Sequence, residues 1–192
     1  MDQTANYLPY KQTGYFSSIV SDYLSQSPSL QPFYQHSPDL QGIKDSIAAR
    51  QTFDTPRTVL VDVLKQQYAG LITAEKVKQN IQLLAGKQTF TVTTAHQPSI
   101  FTGPLYFIYK ILHTIKLADE LNHQLPDYRF VPVYYMGSED ADLDELGFVT
   151  VGEQKLVWET KQTGAIGRMK VDKALLKLID AIHGQVGVLP FG

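Results

Sequence analysis

TVTTAHQPSIFTGPLYFIYKILHTIKLADEL, residues 91–121, is the stretch on which the fold turns. Its opening continues a β-branched run, so that TFTVTT (89–94) reads as a strand. A loop follows that carries His96, Gln97, Pro98, Gly103 and Pro104. Beyond it, Leu105, Ile108, Leu112, Ile115 and Ala118 recur at three- and four-residue spacing, which predicts a helix with that face in the core. Pro104 suits the first turn, where its missing N–H costs nothing, and Thr102 or Gly103 would be the N-cap. RFVPVYYM (129–136) reads as a second strand, almost continuously apolar, as expected when both faces of a sheet are covered. Strand, helix and strand in this order form a βαβ unit with a right-handed crossover.

Upstream of that unit the pattern is helical. One helix is expected from Ser17 and another capped by Asp39, separated by the Pro/Ser-rich connector QSPSLQPFYQHSPD. A third ends at Gly70, and a fourth runs from Thr73 as N-cap to Gly86 as C′, with Val77, Ile81 and Leu84 on its apolar face. Downstream come an acidic run, two short strands (FVTV and KLVWET) and a helix from about 172 to 183. The fold class is thus α/β, with a partial parallel sheet in residues 87–192. Residues 1–86 are an N-terminal helical segment expected to pack on that core. Two such strands are few for a doubly wound domain, and GQVGVLPFG does not read as a domain end, so the chain is expected to be truncated.

Composition narrows the function classes. Apolar residues are 43% and charged residues 19% of 192, which is the make-up of a soluble globular protein. A net charge of −2 lacks the basic excess that nucleic-acid binding uses. With no cysteine, disulfides, thiolate metal sites and a cysteine nucleophile are excluded. No signal-peptide pattern or membrane-length apolar run is present in the sequence, so the expected location is cytoplasmic.

The chemistry-bearing segments both follow strands, where open α/β sheets collect ligands. The first, AHQPSIFTGP, precedes a helix N-terminus whose free N–H groups and dipole favour an anion. His96 and Gln97 could donate to a phosphate or carboxylate, and Gly103 lets backbone approach a ligand. A well-capped crossover helix explains the same residues equally. The loop has neither the P-loop lysine nor the Gly-x-Gly-x-x-Gly pattern. The second segment, GSEDADLDEL, holds five of the 19 acidic residues. Glu139 and Asp140 follow the strand directly and are the better placed to hold an amine or sugar hydroxyls, to act as a base, or to bind Mg²⁺. Asp144 and Glu145 also suit a solvated helix start. His36, His113, His123 and His183 read as structural or solvated, and no HExxH supports a metal hydrolase.

TTAHQPSIFTGPLYFIYKILHTIKLA followed by VPVYYMGSEDADLDEL resembles the bacillithiol biosynthesis cysteine-adding enzymes, as do WETKQTGAIGRMKVDK and FYQHSPDL. The resemblance covers essentially the whole chain, as the N-terminal part of a longer protein. It implies a Rossmann core like that of class I aminoacyl-tRNA synthetases, the start of an inserted connecting segment after it, and a C-terminal coiled coil used for homodimerisation. The implied activity is a ligase that joins cysteine to glucosaminyl-malate in the last step of making bacillithiol, a low-molecular-weight thiol. Amide formation needs an activated carboxylate, for which ATP is a candidate cosubstrate. The resemblance implies substrate or nucleotide contacts at His96, Gln97, Thr102, Gly103 and Tyr106, and catalytic candidates Glu139, Asp140 and Asp142. Many members carry Gln in place of His96 and His in place of Ala141, which implies one imidazole or amide near the same ligand anion. The other readings are a nucleotidyltransferase-like or metal-dependent α/β enzyme on another small substrate, and a non-catalytic ligand-binding half-domain.

Overall fold

Proline, serine and aspartate punctuate the first part of the chain into short helices. The computed structural model describes residues 6–190. They divide into two compact units, one ending at Pro56 and one beginning at Arg57. In the first, α1 is Tyr10–Thr13, α2 is Ser18–Leu24 and α3 is Leu40–Gln51, with a 3-10 turn at Gln31–Phe33. Asp39 caps α3 as expected, its Oδ1 accepting from the Gly42 amide at 2.8 Å. That bond, with a second from the Ser37 hydroxyl, holds the Asp39 carboxyl below its ordinary pKa. Gly42 is required because a Cβ there would lie 1.9 Å from the Ser37 carbonyl oxygen.

The second unit opens with α4 (Arg57–Gln67) and α5 (Glu75–Leu83). Both belong with the sheet, so the division falls at Pro56 and not after residue 86. The reason is burial: Val61, Ile81 and Leu84 close over Val131 of the second strand, with Leu64, Val77 and Val133 around them. Arg57 adds a bond to the Leu84 carbonyl at 3.0 Å. Ala74, not Thr73, is the N-cap of α5, and no side chain caps it. Gly86 is not the left-handed C′ residue; Leu84 ends the helix and the Gly86 amide bonds the Leu83 carbonyl.

The βαβ unit consists of β1 (Thr89–His96), α6 (Leu105–Gln124) and β2 (Arg129–Met136). The strands pair in parallel, from Thr89 opposite Arg129 to His96 opposite Met136. Pro104 is the N-cap of α6, in place of Thr102 or Gly103. The core face of α6 shares only Ala118 with the expected one. Phe107, Ile111, Thr114, Ala118 and Leu121 turn inward, while Leu105 and Leu112 are 65% and 56% exposed. The first two turns of this helix carry apolar residues on several sides, Leu105 to Tyr109 being unbroken, so spacing alone admits two faces. The sheet takes the one with small residues in the middle. Ala118 is fully buried, and the Thr114 hydroxyl is satisfied by the Lys110 carbonyl at 2.8 Å.

Asn122 closes the outer edge of β2. Its Oδ1 accepts from the Phe130 amide and its Nδ2 donates to the Phe130 carbonyl, both at 2.9 Å. Two positions on, Pro132 brings no N–H to that edge. Capped and proline-bearing, this side of the sheet is blunted against a further strand.

The remainder is α7 (Leu143–Leu146), an antiparallel hairpin of β3 (Phe148–Val151) and β4 (Gln154–Val157), and α8 (Lys173–Val186). Leu156, Trp158, Leu178 and Ile182 form its core, and Ile100 and Leu143 pack against it. Asp172 caps α8, accepting from the Leu175 amide at 2.9 Å, and also receives the Trp158 indole N–H at 2.8 Å. Among the described residues, no helix is long and apolar enough to cross a membrane.

Candidate functional site

Parallel pairing brings the carboxyl ends of β1 and β2 side by side, and the loops that follow are stitched together there. The Gly137 amide and the Tyr134 hydroxyl both donate to the His96 carbonyl at 3.0 Å. Ala95 and His96 are the last residues of β1 and not part of the loop, which starts at Gln97.

The His96 ring is 7% exposed and has both nitrogens occupied. Nδ1 lies 2.9 Å from the Gln97 carbonyl oxygen and Nε2 lies 2.8 Å from the Tyr106 hydroxyl. A carbonyl can only accept, so Nδ1 carries the hydrogen, and in the neutral ring Nε2 accepts from Tyr106. Phe107 and Tyr106 flank the ring at centroid distances of 5.3 and 5.4 Å. His96 therefore leaves no nitrogen for a ligand anion; it acts on Tyr106.

Gln97 extends the chain of bonds to the acidic loop, its Nε2 donating to Asp140 Oδ2 at 2.9 Å. Asp140 Oδ1 accepts from the Ala141 amide at 2.8 Å. Tyr106, His96, Gln97 and Asp140 thus form one hydrogen-bonded series across two strand ends. Beside it, the Tyr135 hydroxyl donates to Glu139 Oε1 at 3.0 Å. The Tyr135 phenol is pushed above its ordinary pKa by that bond first, and then by the carboxylate's charge.

The other expected residues have different tasks. Asp142 is the N-cap of α7, with a long 3.4 Å contact from the Glu145 amide, and stands outside the series. Gly103 has φ +58°, and a Cβ there would lie 2.7 Å from Ser99 Cβ. Its close approach is thus to Ser99. Thr102 is exposed in the same loop, which the Ile100 amide ties to the Leu146 carbonyl at 3.2 Å.

Several contributors escape a reading by motif. The 3-10 turn Ile166–Arg168 reaches back to the acidic loop: the Ile166 amide donates to the Asp140 carbonyl at 2.8 Å and the Gly167 amide to the Ser138 carbonyl at 2.9 Å. The only local signal is the paired glycine spacing of GAIG, which does not name its partner. Lys110, from the second turn of α6, has its ammonium on the Ala95 carbonyl. A cavity of about 820 Å³ lies instead along the blunted edge of β2, between α5 and α6, and none of Tyr106, His96, Gln97 or Asp140 lines it. Convergent polar groups, and not volume, make the strand ends the candidate site. Among the described residues no three His, Asp or Glu side chains converge to hold a metal ion.

Comparison with known proteins fits this arrangement. The model of the family "Bacillithiol biosynthesis BshC, N-terminal Rossmann-like domain" matches residues 3–190. The chain belongs to that family. A relative from Flavobacterium psychrophilum, named "Putative cysteine ligase BshC", is 39% identical over 184 residues, covering 94% of this chain and 34% of the relative. One of the same name from Cytophaga hutchinsonii is 47% identical over 153 residues, covering 80% and 29%. Another from Natranaerobius thermophilus is 30% identical over 189 residues, covering 91% and 34%. The chain spans about a third of the length of the curated relatives it matches. The family's Rossmann-like domain is the α/β class expected from the βαβ pattern, and its name carries the bacillithiol role that the motifs implied.

Proposed function

We propose that this chain is the N-terminal part of a ligase that joins cysteine to glucosaminyl-malate through an amide C–N bond, the final step of bacillithiol biosynthesis. The observation that carries the reading is the hydrogen-bonded series Tyr106–His96–Gln97–Asp140 across the ends of two parallel strands, in a chain of this family. The reaction needs an amine held against an activated carboxylate, and a group to receive the amine's proton. Glu139 and Asp140 are the acids for that work. Each oxygen of Asp140 already accepts one bond, yet a carboxylate has about four lone-pair sites, so one face remains for a ligand N–H.

ATP is the proposed cosubstrate, and when bound it supplies activation of the cysteine carboxylate. Its candidate phosphate contacts are the loop 97–103 and the free amides that open α6. No step is assigned to Mg²⁺. The whole enzyme is proposed to be a homodimer joined through a coiled coil outside residues 1–192, working in the cytoplasm on small molecules.

The test is direct. Full-length protein incubated with glucosaminyl-malate, cysteine and ATP should yield the cysteinyl adduct by mass spectrometry. Correctly folded protein that forms no adduct with any energy source removes the reading. Residues 1–192 alone should not turn over, because two strands leave the crevice open to water.

A further inference from the structure

We infer that the Tyr106 hydroxyl is an amine-recognition group of this site, and that His96 is the positioning residue that makes it an acceptor. The inference rests on the ligase reading for its ligand, an amino sugar, and on geometry for its residues.

A tyrosine hydroxyl can donate one hydrogen and accept through its lone pairs. Here the hydrogen is committed. The Gln97 carbonyl holds the proton on His96 Nδ1, which leaves Nε2 as a bare acceptor 2.8 Å from the Tyr106 oxygen. Phe107 and Tyr106 enclose the imidazole, so it stays in that orientation. The Tyr106 O–H therefore points inward to His96 while the residue itself is 47% exposed. To a ligand, Tyr106 offers lone pairs only.

The acids at the end of the second strand also present acceptors. Glu139 and Asp140 are carboxylates, and the Gln97 amide spends a donor on Asp140. Lys110 is the exception, a cation that spends one of its three N–H donors on the Ala95 carbonyl. The acceptors of Tyr106, Glu139 and Asp140 select ligand N–H and O–H groups, as on an amino sugar. This assigns the amine to the strand ends.

The test uses the 192-residue chain, with glucosamine as probe and N-acetylglucosamine as the amine-capped control, each titrated by NMR. Glucosamine should bind more tightly than N-acetylglucosamine. Tyr106→Phe should weaken it about tenfold, the value of one hydrogen bond. His96→Leu should do the same, whereas His96→Gln, whose amide oxygen still accepts from Tyr106, should stay close to wild type. Amide fingerprints of the variants report whether they are folded. Independently of any variant, ¹⁵N spectra of the wild-type imidazole should show Nδ1 protonated and Nε2 bare. A protonated Nε2 in the neutral ring overturns the inference, as does absence of glucosamine binding, equal binding of the two sugars, or no loss in Tyr106→Phe. Tyr106-dependent glucosamine binding without adduct formation by the full-length protein would remove the ligase reading and keep this one. Adduct formation with no loss of glucosamine binding in Tyr106→Phe would do the reverse.

Discussion

Gly167 is pressed against Ser138: its amide donates to the Ser138 carbonyl at 2.9 Å, and a Cβ in its place would lie 2.6 Å from Ser138 Cβ and 2.8 Å from Ser138 O. A turn distant in sequence thereby holds the backbone on which Glu139 and Asp140 stand. Because the obstacle includes backbone, it cannot swing aside as the end of a flexible side chain would.

Gly167→Ala should accordingly displace the acidic loop and cost about 1–3 kcal/mol of stability, as overpacking does. The control is Gly184→Ala in α8, where a Cβ meets nothing within 4 Å. It should stabilise by about 0.5–1 kcal/mol, since glycine is the poorer helix residue. Urea unfolding of the two variants should give midpoint shifts of opposite sign; equal shifts would show that the Ser138 contact is slack.

Asn122 should prove a structural residue of the sheet edge. Asn122→Ala removes both partners of the Phe130 backbone at a part-buried position, and the loss should be about 1–3 kcal/mol. Hydrogen exchange should locate it, with the Phe130 amide losing protection first. Unchanged protection there would count against edge capping.

The inward face of α6 can be tested by substituting both faces. Ala118→Leu places extra methylenes where the helix meets the sheet with no exposed surface, and should destabilise by about 1–3 kcal/mol. Leu112→Gln, on the expected but outward face, should stay within about 0.5 kcal/mol of wild type. Thermal denaturation distinguishes the two; a larger effect at Leu112 would restore the face read from spacing.

Asp172 should make the second unit acid-sensitive. Its carboxyl is lowered from 3.8 to about 2, chiefly by the Leu175 amide and then by the Trp158 indole N–H. A depressed carboxylate contributes stability that is fully present above its unfolded value and is lost as pH falls through the folded one. The window therefore lies between about 3.8 and about 2. Trp158 is the single tryptophan, so its fluorescence reports the unit directly. Wild-type stability should fall across that window, and Asp172→Asn should flatten this part of the profile. An unchanged slope in the variant would assign the acid sensitivity to other carboxylates.

Some of this was legible in the residues. β-Branched TFTVTT, apolar RFVPVYYM and the helix between them specify a parallel βαβ unit, because period, length and connection leave few alternatives. Asp39 announces its helix because a cap is a local interaction, completed within three residues. The loops that bear Gln97 and Asp140 were marked by their position after strands, and their motifs pointed to the family. The face of α6 could not be read, since a helix that opens with apolar residues on several sides has no unique amphipathic direction until a sheet meets it. Nor could the task of His96. Sequence presents an imidazole at a strand end, but which nitrogen is free depends on the Gln97 carbonyl and on Tyr106, the second residue of the next helix. Gly103 and Gly167 are alike in sequence as small residues in loops; only packing shows that one yields to Ser99 and the other to Ser138. Local preference and periodicity thus determined which elements form and in what order. Tertiary structure decided which faces are buried and which hydrogens are committed, because those are set by atoms distant in the chain.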